Sequence, residues 1–448
     1  MAVHVIDALL TRDRQGSKEM REIFDEISTI QRWLDVEAAL AKAQAKLGII
    51  PEWAAQEISA KAKVEYLDLD KYKERFDRIF NPGVPFIQTF QEACSPEARE
   101  FIHVGFATQN IEDTALALQM KQALGVIRAK LESIQGHLVR IAAEHRDTVM
   151  AGRTHGQHGT PITFGFKVAA WVSEIRRHIA RIDDLASHAC VGLAGGPIGT
   201  LAFNGEIGLK VMELMMEDLG LAVPEIPVRT VGDHIAEFTF VLGMIGMTLH
   251  KIAREIYNLQ RSEIDEVQEP FRKGRVGSSS MPHKRNPSMC MNIMRNGRLM
   301  AANVPLALEF MSQEHEGEGT VSETAAAFIP ETCVLLGGSL NLMENVLSDL
   351  VIKPEHMKRN LELTHGMISS ETLMKALSEK IGRGQAHHKV FELAMQAYQT
   401  QTPFHQVVKA DPEVQRYLSA EEIDMSLDPA QGIGLAREFV DRILGSRG

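Results

Sequence analysis

The chain has 448 residues, of which 44% are hydrophobic and 24% charged, and a formal net charge of −11. That length is enough for two or three domains, and the composition is that of a folded globular protein rather than a disordered one. The negative balance argues against a broad basic surface for nucleic acid or an anionic membrane. We therefore expect the cations that hold an anionic ligand to be concentrated locally.

Cysteine spacing and apolar runs narrow the class further. Cys94, Cys190, Cys290 and Cys333 are isolated in the sequence, so neither a disulfide framework nor a zinc site is indicated. The longest apolar run, FTFVLGMIGMTL at 238–249, is too short to cross a bilayer, and the first residues lack a secretory signal pattern. These features predict a soluble, cytoplasmic protein.

Helical periodicity dominates, and breaks rich in Gly and Pro divide the chain into three predicted sections. Residues 1–110 have shorter helices and the turn NPGVP at 81–85. Residues 111–352 carry the longest helical patterns, and residues 353–448 open on a Pro-containing turn and return to shorter helices. Strand-like alternation is scarce. We therefore predict an all-α protein with a central bundle of long helices.

Two long helices are predicted in the middle section. From Thr114 to His145 there is no proline, and apolar residues recur at steps of three and four, as in a heptad seam. The seam residues are Leu116, Met120, Leu124, Ile127, Leu131, Ile134, Leu138 and Ile141. The second helix runs from about Asp233 to Glu263 and is apolar on nearly every face in its first half. Such a helix has to be surrounded by other helices or subunits, so we expect an oligomer.

Three short polar segments are not explained by packing alone. They are HVGFATQNIEDT (103–114), GRTHGQHGTP (152–161) and GSSSMPHKRNP (277–287), which we call the serine loop. Each precedes a predicted long helix, whose unpaired N–H groups and partial positive charge bind carboxylates. Taken singly, each has an ordinary interpretation as a helix cap, a turn histidine or a linker. Together they favour a site for a small polyanionic acid.

The serine loop carries the most specific chemistry of the three. Its prolines exclude a helix interior or a central strand. Ser278 and Ser279 follow Gly277, whose backbone is free to form an anion-binding nest, and Lys284 and Asn286 add a charge and an amide donor. Such groups stabilise the dianion that forms when a proton is removed next to a carboxylate. Serine acts as the base only in a dry pocket whose fixed cations favour the alkoxide.

The serine loop resembles the signature loop of the fumarase/aspartase superfamily. The segment GRTHGQHGTPITFG resembles the histidine-bearing segment of adenylosuccinate lyases, and HVGFATQNIEDT resembles their HYG/HWG…TSxD…DT segment. The likeness extends from 31–51 through 195–202 to 313–319, and it places the chain between adenylosuccinate lyase and 3-carboxy-cis,cis-muconate cycloisomerase. The loop positions that match are Gly277, Ser278, Ser279, Met281, Pro282, Lys284 and Asn286.

The resemblance implies a three-domain, all-α L-aspartase-like fold and a homotetramer whose central helices form a 20-helix core. Active sites in such a tetramer form where three subunits meet. The implied reaction is an anti β-elimination on a succinyl-type substrate, which releases fumarate without a metal or organic cofactor. The expected partner is a small polyanionic carboxylate, and neither nucleic acid nor membrane is implied.

The resemblance also implies residue roles. Ser278 is the expected base that removes the C3 proton, and His155 is the expected acid that protonates the leaving nitrogen. Ser280 occupies a variable position of the loop and is expected to be dispensable. The expected substrate-binding residues are His103, Thr108, Gln109, Thr154, Ser279, Met281, Lys284 and Asn286.

Departures from the adenylosuccinate lyase pattern narrow the expected substrate. Two arginines that grip the nucleotide phosphate there are Gly317 and Ala326 in this chain, and only the accompanying serine, Ser322, is kept. A histidine of another loop falls at about Pro82, and the TQRDR segment reads TVGDH at 230–234. A phosphate dianion would lose strong bidentate bonds without the arginines, so we expect a substrate that is not a nucleotide.

Two alternatives remain open. A cycloisomerase that closes 3-carboxymuconate to its lactone resembles the chain around NPGVPFIQ and QEHE, but the bacterial enzymes have Trp where this chain has His155. Keeping Thr154 and His155 favours an elimination that needs an acid for its leaving group. Met291 replaces the glutamate that usually pairs with the catalytic histidine. That change, with the altered first segment, leaves a non-catalytic scaffold as the second alternative.

Overall fold

The computed structural model describes residues 4–271, 274 and 277–445, apart from the side chains of residues 321 and 322. The described residues form α1 (Arg12–Gln15), α2 (Lys18–Phe24), α3 (Glu26–Lys46), α4 (Glu52–Lys61), α5 (Leu69–Ile79), α6 (Gly83–Ala93), α7 (Thr108–Glu144), α8 (Phe164–His188), α9 (Glu206–Leu219), α10 (Asp233–Leu259), α11 (Ser288–Glu309), α12 (Gly319–Ser348), α13 (Pro354–Leu361), α14 (Ser370–Ile381), α15 (Arg383–Thr400), α16 (Phe404–Ala410), α17 (Pro412–Tyr417), α18 (Ala420–Leu427) and α19 (Ala436–Gly445). Short 3₁₀ helices lie at Val64–Tyr66, Ala98–Phe101, Glu362–Thr364, Met367–Ser369 and Pro429–Gln431. The strands are β1 (Val149–Thr154), β2 (Gln157–Thr163), β3 (Val267–Gln268) and β4 (Val351–Ile352). The predicted all-α class is confirmed.

The longest helix, α7, confirms the heptad seam and starts earlier than predicted. It has 37 residues and begins at Thr108 instead of Thr114. Seven of the eight seam side chains are 2% exposed or less, and Leu116 is the partly exposed one. The seam is therefore a continuous buried stripe that holds the start of α7 in place.

Helix α10 begins at the predicted Asp233 and ends at Leu259, four residues before the predicted end. By length and hydropathy alone, Asp233–Leu259 and Glu323–Ser348 could cross a membrane. In each, 67% of the apolar window is buried within the chain, and the core helix of a soluble protein passes the same test. The length and hydropathy of these two helices are therefore only weak evidence for membrane insertion.

The chain divides into two compact units, each described by itself below. The first unit comprises Met1–Leu131, His178–His250 and Asn292–Asn341, and the second comprises Glu132–Arg177, Lys251–Met291 and Leu342–Gly448. In the first unit, α3 packs against α4 and α9. The division into sections 1–110, 111–352 and 353–448 stays a prediction.

The second unit combines a small helical core with a hairpin that the sequence did not reveal. Helices α14, α15, α16 and α18 pack around buried side chains that include Leu377, Leu393 and Phe404. Strands β1 and β2 pair antiparallel, with Thr154 opposite Gln157. His155 and Gly156 form the two-residue turn at φ of 51° and 76°, as a type I′ turn requires. The segment at 152–161 is therefore a hairpin, and helix α8 begins only at Phe164.

Candidate active site

The predicted site residues are distributed over both units. His103, Thr108 and Gln109 belong to the first unit, whereas Thr154, His155 and the serine loop belong to the second. The hydrogen bonds that hold each group of residues, described below, lie within that group's own unit.

The start of α7 presents Thr108 and Gln109 to a cavity. Thr108 is the first residue of the helix, and it packs so tightly on Gly83 that a Cβ there would lie 2.3 Å from the Thr108 Cβ. The buried Asn110 accepts the N–H groups of Ala107 at 3.1 Å and Gly196 at 3.0 Å on its side-chain oxygen. Asn110, which stands where the family has aspartate, therefore ties the segment at 103–114 to the one at 195–202.

The cavity has a volume of about 640 Å³, and its wall includes more acidic than basic side chains. Among its described lining residues, Arg229 is the one Lys or Arg. Its Nε lies 3.1 Å from Asp113 Oδ2, and its Nη2 donates to Asp113 Oδ1 at 3.2 Å. Pro82 and Gly317 also line the wall, and they are two of the positions at which this chain departs from the adenylosuccinate lyase pattern. The acidic lining residues are Glu112, Glu316, Glu318 and Glu323.

Two adjacent carboxyl groups in the first turns of α7, Glu112 and Asp113, resist ionisation. Burial raises the pKa of Glu112 to about 7; Asp113 and Glu323 act in the same direction, and Arg229 opposes them. Burial likewise raises the pKa of Asp113 despite its contact with Arg229. Ser322 matches the serine that accompanies the phosphate-binding arginines of adenylosuccinate lyases, and its side chain lies outside the described part of the structure.

Replacing Glu112 with glutamine should make stability less sensitive to pH. Because the folded pKa of about 7 exceeds the ordinary 4.5, the native state loses stability as pH rises through this window. Glu112→Gln should therefore raise the free energy of unfolding at pH 8 by about 1–3 kcal/mol and leave it nearly unchanged at pH 4. Denaturant unfolding at both pH values measures this, with the exposed Glu314→Gln as control. An equal gain at both pH values would refute the ionisation argument.

His103 lies on the segment that leads into α7. Its backbone adopts a φ of 61°, and its Nδ1 donates to Glu37 Oε1 at 2.6 Å. Burial lowers the pKa of His103, but the charge and hydrogen bond of Glu37 outweigh burial and raise the pKa above 6.5. Glu37 was missed in the sequence, although a carboxylate on the apolar face of α3 is a signal that a partner is needed.

In the second unit, a buried ion pair anchors the hairpin close to its turn. Arg153 donates from Nη1 and Nη2 to the two Glu266 oxygens at 2.8 and 2.6 Å, and Glu266 is fully buried. Asn360 donates to Glu266 Oε1 at 2.9 Å. Thr154 and His155 follow directly and are exposed at the turn. The ion pair therefore fixes Arg153, two positions before the predicted acid.

The two histidines of the hairpin lie in different surroundings. His158 pairs across the hairpin with Arg153, and burial together with that cation lowers the pKa of His158. The exposed His155 has no hydrogen bond recorded within the described part of the chain. His155 is therefore the more exposed of the two imidazoles.

The serine loop folds back on itself. Ser278 Oγ accepts the Met281 N–H at 3.2 Å, and Asn286 Nδ2 donates to the Gly277 carbonyl at 2.9 Å. A Cβ on Gly277 would lie 2.2 Å from the Lys284 carbonyl oxygen, so glycine is required at this position. Ser279, Met281 and Lys284 remain exposed. These bonds make the loop a defined turn that displays Ser278 and Lys284.

A buried carboxylate that the sequence analysis missed supports the exit of the loop. The Glu269 carboxylate accepts the N–H groups of Met289 at 3.1 Å and Cys290 at 3.2 Å, in the first turn of α11. Gln260 accepts the Glu269 N–H at 2.9 Å and donates to the Arg285 carbonyl at 3.1 Å. The signal was the acidic run EIDEVQEP just before the loop.

Comparisons with known proteins identify the family. A sequence profile described as "Lyase" matches residues 12–306, and one described as "Adenylosuccinate lyase C-terminus" matches residues 366–443. The chain belongs to the fumarase/aspartase superfamily of lyases. This lyase is 41% identical over 446 residues to the adenylosuccinate lyase of Pyrococcus abyssi, covering 99% of this chain and 98% of the relative.

Two further matches show the breadth of the family. This lyase is 35% identical over 444 residues to N-acetyl-S-(2-succino)cysteine lyase of Dickeya dadantii, covering 99% of this chain and 98% of the relative. The solved 3-carboxy-cis,cis-muconate lactonizing enzyme from Pseudomonas putida superposes with a TM-score of 0.92 at 33% identity, covering 98% of both chains.

The comparisons confirm the predicted superfamily and its mostly helical fold, and the chain is a carbon–nitrogen lyase resembling adenylosuccinate lyase. In the described residues, no group of three or more His, Cys, Asp and Glu side chains is arranged to hold a metal ion. That the reaction needs no cofactor stays a prediction.

Proposed function

We propose that this lyase cleaves the C–N bond of an N-substituted aspartate that is not a nucleotide and releases fumarate. The acidic cavity at the start of α7 is the observation that carries the proposal. Its lining carboxylates outnumber its cations, and Arg229 is already engaged by Asp113. Among the described lining residues, a phosphate dianion would therefore find no arginine that is not already paired, and it would lack the bidentate bonds that hold it strongly.

The proposed reaction takes its base and its acid from the second unit. Ser278 removes the C3 proton, the electron pair forms the C2–C3 double bond, and the C2–N bond breaks as nitrogen accepts a proton from His155. The Met281 N–H directed at Ser278 Oγ favours the alkoxide. Thr108, Gln109, Thr154 and Lys284 are proposed to hold the carboxylates.

We further propose that the active form is a cytoplasmic homotetramer whose sites are shared between subunits. Phe240 and Met247 of α10 are 48% and 40% exposed in the single chain. Apolar side chains exposed on a long helix need a cover, which neighbouring subunits would supply. Light scattering of the purified protein measures the oligomer, and a monomer at assay concentration would contradict this part of the proposal.

Product analysis over a panel of acids tests the proposed reaction. We expect fumarate and a free amine in equal amounts from at least one unphosphorylated N-substituted aspartate. The panel includes N-acetyl-S-(2-succino)cysteine, because a 35% identical relative is named as a lyase of this compound. If this thioether is the one compound of the panel that yields fumarate, the enzyme cleaves a C–S bond and not the proposed C–N bond. No turnover of any succinyl-type acid would favour the non-catalytic scaffold.

The second candidate function is the cycloisomerisation of 3-carboxymuconate, which the TM-score of 0.92 to a lactonizing enzyme favours. A lactonizing enzyme consumes muconate without releasing fumarate. Incubation with 3-carboxy-cis,cis-muconate therefore separates the two functions. If the protein forms the lactone from muconate and releases no fumarate from any succinyl compound, the cycloisomerase function replaces the lyase proposal.

A further inference from the structure

We propose that Glu37 is a positioning residue that holds His103 as an imidazolium, whose Nε2–H donates to a substrate carboxylate. The inference rests on the proposed function, because it assigns the charge that receives the succinyl group of that substrate. It assigns a role to Glu37, a residue of α3 far from the three polar segments in sequence.

The pairing has the geometry of a fixed ion pair. His103 Nδ1 lies 2.6 Å from Glu37 Oε1, and the side chains of Glu37 and His103 are 1% and 14% exposed. A carboxylate buried this completely requires a hydrogen-bonded cation. Because Nδ1 is used by Glu37, Nε2 is the ring nitrogen left for a ligand. No other hydrogen bond to His103 is recorded among the described residues.

The backbone around His103 is held beside the cavity wall. Gln44 donates to the Val104 carbonyl at 2.8 Å, and Asn204 donates to the Gly105 carbonyl at 2.8 Å. The same Gly105 oxygen lies 3.9 Å from the point where a Cβ on Gly196 would stand, and Gly196 lines the cavity. His103 therefore lies on a hydrogen-bonded segment that adjoins the cavity wall at Gly196.

The charge balance of the first unit explains why such a donor is needed. A dicarboxylate substrate requires at least one cation, and Arg229 is already paired with Asp113. The pKa of His103 is raised because Glu37 overcomes the effect of burial, and this shift favours the imidazolium. Glu37 is the charged group that acts on the imidazole from the packed helices.

Glu37→Gln tests the proposal, because the amide keeps the size and the acceptor but removes the charge. We expect KM at neutral pH to rise about tenfold to a hundredfold, the range for losing a charge-assisted hydrogen bond, with kcat within about threefold. In the wild type, KM should rise as pH increases through the pKa of His103, and in the variant this rise should begin at lower pH. Glu57→Gln, at a glutamate that binds Ser95 in the same unit, is the matched control.

A binding measurement keeps this inference separate from the proposed reaction. Calorimetric titration with succinate needs no turnover, and Glu37→Gln and His103→Gln should each weaken binding at least tenfold, without additive losses in the double variant. If no acid is turned over but these losses occur, the proposed function fails and the role of Glu37 stands. Unchanged succinate binding in a folded Glu37→Gln protein would overturn the inference. So would a KM profile that does not shift with pH.

Discussion

Ser278→Ala is expected to lower kcat for fumarate release by about 1,000-fold, because it removes the proposed base from the serine loop. The variant also loses the Met281 N–H bond to the hydroxyl. The loop should still keep its turn, since the Asn286 bond to Gly277 and the close approach of Lys284 do not involve that hydroxyl. Stopped-time assays of fumarate formation with the best substrate of the panel measure the loss.

Ser280→Ala is the control within the same loop. It removes the same hydroxyl group from an exposed side chain two positions away, and it should leave kcat within about twofold. Equal losses in the two variants would show that loop folding, rather than proton removal, had been disturbed. An unaffected Ser278→Ala enzyme would remove Ser278 from the mechanism.

Glu266→Ala is expected to lower the free energy of unfolding by about 3–5 kcal/mol, because it leaves Arg153 as an unpaired, partly buried cation. The hairpin that carries Thr154 and His155 should lose its anchor, so kcat should fall as well. Denaturant unfolding and steady-state kinetics on the same preparation measure both effects.

An exposed pair in the same unit provides the control for Glu266. Asp441 pairs with Arg146 at the surface, and Asp441→Asn should leave the free energy of unfolding nearly unchanged. The double variant Arg153→Met/Glu266→Leu should regain stability, because apolar groups can replace a buried pair. If that variant is stable and fully active, the ion pair has no part in placing the hairpin.

The long helices could be read from the sequence because their signal is local and repeated. The α7 seam recurs over eight positions, so a few missed residues at its start did not alter the result. The hairpin at 149–163 was missed because its strands lack alternation and its turn is His–Gly rather than Asn–Gly. Polar segments that predict a site do not by themselves reveal whether strands or a helix carry them.

The partners of the site residues could not be predicted for a different reason. Glu37 and His103 are 66 positions apart, and Asp113 and Arg229 are 116 apart. Only packing brings such pairs together, and no spacing rule connects them. The serine loop, in contrast, makes its decisive bonds within nine residues, and its residue types alone indicated an anion-binding turn.

The specificity of fumarate release tests the central claim most directly. The wild-type enzyme is offered, in parallel, adenylosuccinate, the same succinylated nucleoside without its phosphate, and unphosphorylated N-substituted aspartates. We expect kcat/KM to be highest for an unphosphorylated compound and to stay within about threefold when the phosphate is removed, since no strong bidentate bond is lost. Adenylosuccinate as the best substrate, with a loss of about 100-fold or more on removing its phosphate, would contradict the account.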